Sequence, residues 1–223
     1  MKKIISMVAV AGLVLALAPG VTAQEVLYTE NFVGDTHEES ISSSPVGWSG
    51  SGVIKVYTTD ATTGQGDDST PPPDGDTWYA AKFVTGASGS LLMSTTEFTV
   101  LAADRVDTEF SVDHAQNTTQ GFRWRAQVGG TWYETDLWGT DDATNGSATE
   151  HDVTTWGTRE TLQVETATWY VECTGQATPI SLPAGDITGF GFFLNNNNNS
   201  RVFAVDNFVI TAARPTGILM IVK

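Results

Sequence analysis

Apolar and polar residues alternate along most of this chain with a period of two, in short runs bounded by turn-forming residues. Successive strand side chains point to opposite faces, so such alternation marks half-buried strands. The clearest runs are 26–32 (VLYTENF), 53–59 (VIKVYTT), 77–85 (TWYAAKFVT), 105–113 (RVDTEFSVD) and 121–128 (GFRWRAQV). Further along come 131–138 (TWYETDLW), 160–166 (ETLQVET), 187–195 (ITGFGFFLN) and 201–211 (RVFAVDNFVIT). The Gly-, Asp- and Asn-rich segments between them cannot continue a strand. No stretch has the spacing of a long amphipathic helix. The pattern predicts an all-β domain, a sandwich or barrel of many short strands. Residues 62–76, with prolines at 71–73, read as a long exposed loop inside that domain, and 195–199 as a polar turn before the last strand.

One pair of runs can be read in detail. Phe122, Trp124, Ala126 and Val128 share one face of their run, and Arg123, Arg125 and Gln127 the other. In the preceding run Val106, Thr108, Phe110 and Val112 share a face, with Asp107, Glu109, Ser111 and Asp113 opposite. If loop 114–120 closes a symmetric hairpin, Glu109 lies across from Arg125 and Ser111 across from Arg123. Opposite charges at such positions stabilise register by about 0.2–1 kcal/mol a pair. Arg123 and Arg125 are therefore read first as sheet-surface ion pairs and second as candidate ligand contacts.

The N-terminus adds a compartment. Lys2 and Lys3 precede a run of apolar and small residues from Ile4 to Ala18, Pro19 and Gly20 break it, and Val21-Thr22-Ala23 offers the small side chains a signal peptidase reads. This predicts a secretory signal over 1–23, cleaved before Gln24. The apolar run falls short of the roughly 20 residues of a membrane span. The domain then covers 24–213, with a short tail over 214–223. The expected location is secreted, extracellular or periplasmic, with no membrane insertion after cleavage. A chain of this length buries a sizeable core unaided. Cys173 is the single cysteine, so no intrachain disulfide forms, and its run TWYVEC predicts burial.

Charge narrows the partners. The signal holds two of the 11 basic residues and none of the 26 acidic ones, leaving nine bases against 26 acids, a net charge of −17. Such a surface repels nucleic acid and anionic lipid. It suits a soluble, monomeric exterior protein and is compatible with calcium or neutral sugars.

Catalytic patterns are scarce. His37, His114 and His151 stand in separate loop-like contexts without metal-ligand spacing. Residues 47–52 (GWSGSG) miss the serine-elbow pattern because Ser51 stands where its second glycine belongs. The strongest enzymatic candidate is Glu134-Thr135-Asp136, two acids on one strand face. The segment resembles the catalytic strand of laminarinase-type glycoside hydrolases. Here Thr135 replaces an aliphatic residue, and Leu137-Trp138-Gly139 ends without the second glutamate that a carboxylate pair requires.

The two ends carry the broadest resemblance. The mature chain opens YTENF, reaches Gly47-Trp48 after a loop, and closes with FAVDNFVIT over 203–211. With VGGTWYETD, TATWYVE and ITGFGFFLNN in order between them, it resembles the lectin-like and carbohydrate-binding jelly-roll modules of exported bacterial proteins. The resemblance implies an antiparallel two-sheet β-sandwich (jelly roll), first and last strands paired, and loops or a sheet face available to a polysaccharide or cell-surface glycan. It also implies a structural calcium ion (Ca2+), for which Glu30 and Asp206 are the candidate carboxylates and Asp76 of the loop DGD a further donor; the alternative is that both carboxylates accept hydrogen bonds from backbone or Asn side chains at the sheet end. Alternation in the last run puts Asp206 on the face of Ala204 and Phe208. Among the seven tryptophans Trp124 is expected in the core. Trp138 and Trp156, which flank the polar segment 139–155, are the candidates for stacking on a sugar ring. The expectation is a secreted, non-catalytic carbohydrate-binding or adhesion module. An extracellular structural or matrix protein is the first alternative, and a glycoside hydrolase or polysaccharide lyase the second.

Overall fold

The computed structural model describes residues 22–34, 39–41, 47–50, 54–58, 70–75, 78–82, 89–105, 107–116, 122–136, 146–148, 153–171, 178–196 and 203–215. Its regular structure there is almost all strand, in two antiparallel sheets with no long helix. The expected β-sandwich is what forms. The first sheet runs β12 (Glu160–Gln163), β7 (Glu109–Gln116), β15 (Phe203–Pro215), β5 (Trp78–Lys82), β4 (Ile54–Thr58) and β2 (Glu39–Ser40). Beyond β5, the remaining length of β15 pairs with β1 (Thr22–Glu30), as expected of first and last strands. The second sheet runs β13 (Trp169–Val171), β9 (Thr131–Thr135), β8 (Arg123–Val128), β14 (Ile187–Asn196), β6 (Gly89–Thr95) and β3 (Ser49–Gly50). A separate hairpin of β10 (Gly146–Ala148) and β11 (Val153–Trp156) lies beside β7. No helix among the described residues is long and apolar enough to cross a membrane.

The inner faces follow the alternation. Phe110 and Val112 of β7 and Phe208 and Ile210 of β15 meet Trp124 and Ala126 of β8 and Phe190 and Phe192 of β14, all buried. The Phe208 ring lies 5.6–6.4 Å, centroid to centroid, from Trp48, Phe192, Phe110, Phe190 and Trp124, mostly edge-on or tilted. Aromatic quadrupoles favour these arrangements over face-to-face stacks. Trp48 and Trp169 are core, as is Trp124.

Several sequence expectations change. The runs at 105–113 and 121–128 do not form a hairpin: β7 and β8 stand in opposite sheets. Both are apolar on one face, and those faces press together across the sandwich, with Phe110 and Trp124 rings 6.2 Å apart. Glu109 therefore meets Gln163 of β12, whose Nε2 donates to its Oε2 at 2.7 Å, and Arg125 meets Glu134 of β9. β7 also starts later than its run, after Asp107 at φ 50°, and carries His114 as a buried strand residue. β1 starts at Thr22, two residues before Gln24, and β15 extends to Pro215, two residues into the tail. Cys173 and residues 1–21 lie outside the described residues.

A bulge sets the phase of β15. Its ladder with β7 slips between Asp206 and Val209, where Asn207 adopts φ 52°. The extra residue turns Phe208 and Ile210 inward while Asp206 points outward with Ala204. Asp206 and Phe208 thus do not share a face.

Truncating Phe208 to alanine removes the ring that both sheets close on. The expected loss is about 3–5 kcal/mol, read from urea unfolding. A loss under about 1 kcal/mol would mean that the ring cluster is not the core's main support.

Candidate functional site

The outer face of the second sheet brings together the polar side chains that the inner face excludes. A two-residue turn, Gly129 (φ 58°) and Gly130 (φ 79°), joins β8 to β9. Both residues are left-handed, as a type I′ hairpin turn requires and as glycine permits. The turn fixes the register Val128–Thr131, Gln127–Trp132, Ala126–Tyr133 and Arg125–Glu134. Tyr133 and Ala126 go to the core, so Trp132, Glu134, Arg125 and Gln127 share the outer face.

Register carries one row across the sheet: Tyr170, Glu134, Arg125, Gly191, Ser94 and Ser49 are successive cross-strand partners. Arg125 Nε lies 3.3 Å from Glu134 Oε1, and Arg123 Nη1 lies 3.7 Å from Glu134 Oε2. Arg125 and Glu134 are only 2% and 1% exposed, and the Arg125 guanidinium sits 4.3 Å from the centre of the Trp132 ring. A cation–π stack over a desolvated ion pair holds the side chains in one arrangement. Asp136 is exposed and accepts a hydrogen bond from the Tyr170 hydroxyl at 3.0 Å. That bond, before any other influence, raises the Tyr170 pKa. Thr188 and Gln127 bond to each other at 3.0 Å.

Two glycines let neighbouring groups close over β14 beside this cluster. A methyl group on Gly189 would meet the Trp132 ring at 2.7 Å. On Gly191 it would collide with the Met93 carbonyl and Ser94. Trp132 rests across the backbone because no side chain stands there.

Of the sequence candidates, Arg123 and Arg125 lie together on this face. Trp156 does not join them. It is half-buried in β11, its Nε1 donates to Thr70 O at 2.8 Å, and its hairpin packs beside the other sheet. Trp138 and Asp76 lie outside the described residues. Sequence reasoning passed over Trp132, Tyr170 and the Arg125–Glu134 pairing. The signal was present in VGGTWYE: a glycine pair closing a hairpin, with alternation running on from both ends.

The calcium expectation meets a geometric obstacle. Glu30 pairs in register with inward-facing Phe208, while Asp206 pairs with Asp113 on the outer face. The two carboxylates stand on opposite faces of one sheet. Glu30 Oε1 accepts the Phe32 N–H at 2.7 Å, and Oε2 the Tyr28 hydroxyl at 3.2 Å. The Tyr28 oxygen in turn receives the Trp48 indole N–H at 3.3 Å. Phe32 has φ 52°, so this carboxylate closes a strained turn at the end of β1. On the outer face, Arg159 donates to Asp113 Oδ2, Ser111 Oγ and Asn207 O, each at 2.9 Å. No group of three or more His, Cys, Asp or Glu among the described residues is arranged to hold a metal.

No protein-family model matches this chain, and no curated protein matches it significantly. The solved structures to which it is similar include an adhesin domain and carbohydrate-binding modules. The K2 cleaved adhesin domain of Lys-gingipain has a TM-score of 0.48 and 14% identity, covering 84% of this chain and 97% of that one. A family 11 carbohydrate-binding module of a Clostridium thermocellum cellulosomal cellulase gives 0.45 and 15%, over 86% and 96%. A xylan-binding domain from Paenibacillus barcinonensis gives 0.34 and 13%, over 88% and 99%. At these scores the likenesses add nothing to the fold that the two sheets establish.

Two measurements probe this chemistry. Replacing Arg125 or Glu134 alone (Arg125→Met, Glu134→Leu) strands a buried charge and should cost about 3–5 kcal/mol. The double variant should cost clearly less than the two losses added together. Additive losses would mean that the pair is not coupled. Glu30 provides a pH test. Burial, as the largest influence, raises its pKa above the ordinary 4.5. Its protonated form therefore favours the fold: that stability is complete below pH 4.5 and is lost as pH climbs through the raised value. Wild type should lose stability relative to Glu30→Gln over that interval. A pH-independent difference between the two proteins would contradict the raised value.

Proposed function

We propose that this protein is an exported, non-catalytic module that binds a glycan chain on the outer face of its second sheet. The observation that carries the reading is the Trp132 ring held over the buried Arg125–Glu134 pair, with Arg123, Gln127 and Asp136 around it on the same face. A sugar ring presents an apolar C–H face and a rim of hydroxyls that both donate and accept. The face matches this with the half-buried Trp132 ring, the partly exposed Arg123 guanidinium, the exposed Asp136 carboxylate and the Gln127 amide, set around the buried Arg125–Glu134 pair. The ion pair and the stack hold donors and acceptors in place before the ligand arrives, which lowers the ordering cost of binding. The absence of a side chain at Gly189 lets the Trp132 ring lie flat against β14, which fixes the aromatic surface that a sugar ring would meet.

A hydrolytic role for Glu134 and Asp136 draws no support from this arrangement. Glu134 is engaged by two arginines and Asp136 by Tyr170, whereas glycoside cleavage uses a carboxyl pair facing across the scissile bond. Calcium has no part in the proposal, since Glu30 and Asp206 are set apart. Export is supported by the signal pattern at residues 1–23.

Affinity electrophoresis of residues 24–223 through gels containing soluble polysaccharides tests the reading. Trp132→Ala should weaken retention by about tenfold or more, equivalent to about 1.4 kcal/mol, with the protein still folded by circular dichroism. Trp156→Ala should leave retention unchanged. If Trp156→Ala abolished retention and Trp132→Ala did not, the binding face would be elsewhere.

A further inference from the structure

The candidate face carries a cation that the fold engages only through one long ion pair and a ring contact. The surroundings of four arginines are described. Arg105 donates to the carbonyls of Pro183 and Gly185 at 2.7 Å, and Arg159 to three oxygens at 2.9 Å. Arg125 is buried against Glu134 and the Trp132 ring. Arg123 differs. Its Nη1 stands 3.7 Å from Glu134, beyond hydrogen-bond reach, its Nε is buried without a hydrogen-bond partner, and the side chain as a whole is 34% exposed, so it is the terminal nitrogens that a ligand could reach. In a chain with 26 acidic and 11 basic residues, a guanidinium with donors unspent stands out.

Its neighbours are unequal on the two sides. Toward β9 lie the carboxylates of Glu134 and Asp136. Toward β14 lie the Phe193 ring, whose centre is 5.7 Å from the guanidinium carbon, and Gly191, neither of which carries a charge. An aromatic ring beneath a guanidinium holds its plane while leaving the N–H edge free for an acceptor. An anionic group approaching from the β14 side meets the cation without first passing a carboxylate of this cluster.

We propose that Arg123 receives an acidic group of the glycan, and that this group is the carboxylate of a uronic acid. This rests on the glycan-binding reading above. The planar, two-oxygen carboxylate matches the guanidinium fork, and charge assistance strengthens both hydrogen bonds. The protein's overall negative charge repels a polyanion at long range and is screened by salt. The contact at Arg123 is short-ranged, so moderate salt should not abolish binding.

The test compares polygalacturonate with the same polymer methyl-esterified, which keeps the chain and removes the charge. Wild-type protein should bind the acid form at least tenfold more tightly by isothermal titration calorimetry. Arg123→Gln should collapse that ratio to near one, and Arg123→Lys should restore only part of it, because an ammonium cannot bind in the bidentate way. Equal affinity for the two polymers, or a preference that survives Arg123→Gln, would overturn the assignment. So would binding of a neutral β-glucan without either uronate polymer, which leaves the glycan reading standing. A sulfated polysaccharide that binds through Arg123 while polygalacturonate does not would replace the carboxylate with a sulfate ester. Failure to bind any glycan in the panel sinks both the reading and this inference.

Discussion

The two sheets are held face to face by contact between aromatic rings, and every other feature of the molecule is arranged around that contact. Phe208 and Phe110 from one sheet meet Trp124, Phe190 and Phe192 from the other, with Trp48 closing one side. With one cysteine in the chain, no intrachain crosslink shares the task. Interlocked ring edges are directional as well as apolar, so they constrain how the sheets lie as well as that they associate. Once the inner faces are committed, the period of two sends Arg125, Glu134 and Trp132 to the outside without further instruction.

That coupling explains why the proposed binding face is rigid. Its residues alternate with core residues on the same strands: Trp124 is followed by Arg125, Tyr133 by Glu134, and Phe192 by Phe193. A side chain on the outer face cannot shift along its strand without dragging a packed ring with it. The same economy serves the other sheet, where Arg159 bridges Asp113, Ser111 and the carbonyl of Asn207 across two strands. Asp113 and Asp206 are direct cross-strand neighbours, a placement that like charges disfavour, and the guanidinium beside Asp113 offsets it.

What could be read from sequence was local, and what could not was relational. The alternation in GFRWRAQV assigned Trp124 and Arg125 to their correct faces, because strand periodicity needs no partner. Pairing was another matter. The runs at 105–113 and 121–128 look like a hairpin by proximity, yet both need the same core, and facing each other buries both. Alternation alone grouped Asp206 rightly with Ala204 but wrongly with Phe208, because one left-handed residue, Asn207, shifts the phase of everything after it. Asparagine is among the side chains that tolerate this conformation, so the sequence permitted a bulge without announcing it. Strand β6 escaped notice because GSLLMST begins with residues that usually mark turns and alternates weakly. Trp132 was missed for want of following the Gly129-Gly130 turn to its register. The calcium ligands inferred from resemblance at the chain ends were separated by that same phase shift.

The place of β15 bears on how such a molecule can come into being. It occupies the interior of its sheet, hydrogen-bonded to β7 on one side and to β5 and then β1 on the other. A nascent chain that has not yet delivered residues 203–215 has β7 and β1 with nothing to join them, and an aromatic cluster without Phe208 at its centre. Vectorial synthesis therefore delivers the strand that joins β7, β5 and β1 only after all three. Long-range pairing of this kind closes late and slowly, so the first strand waits for the last before its ladder can form.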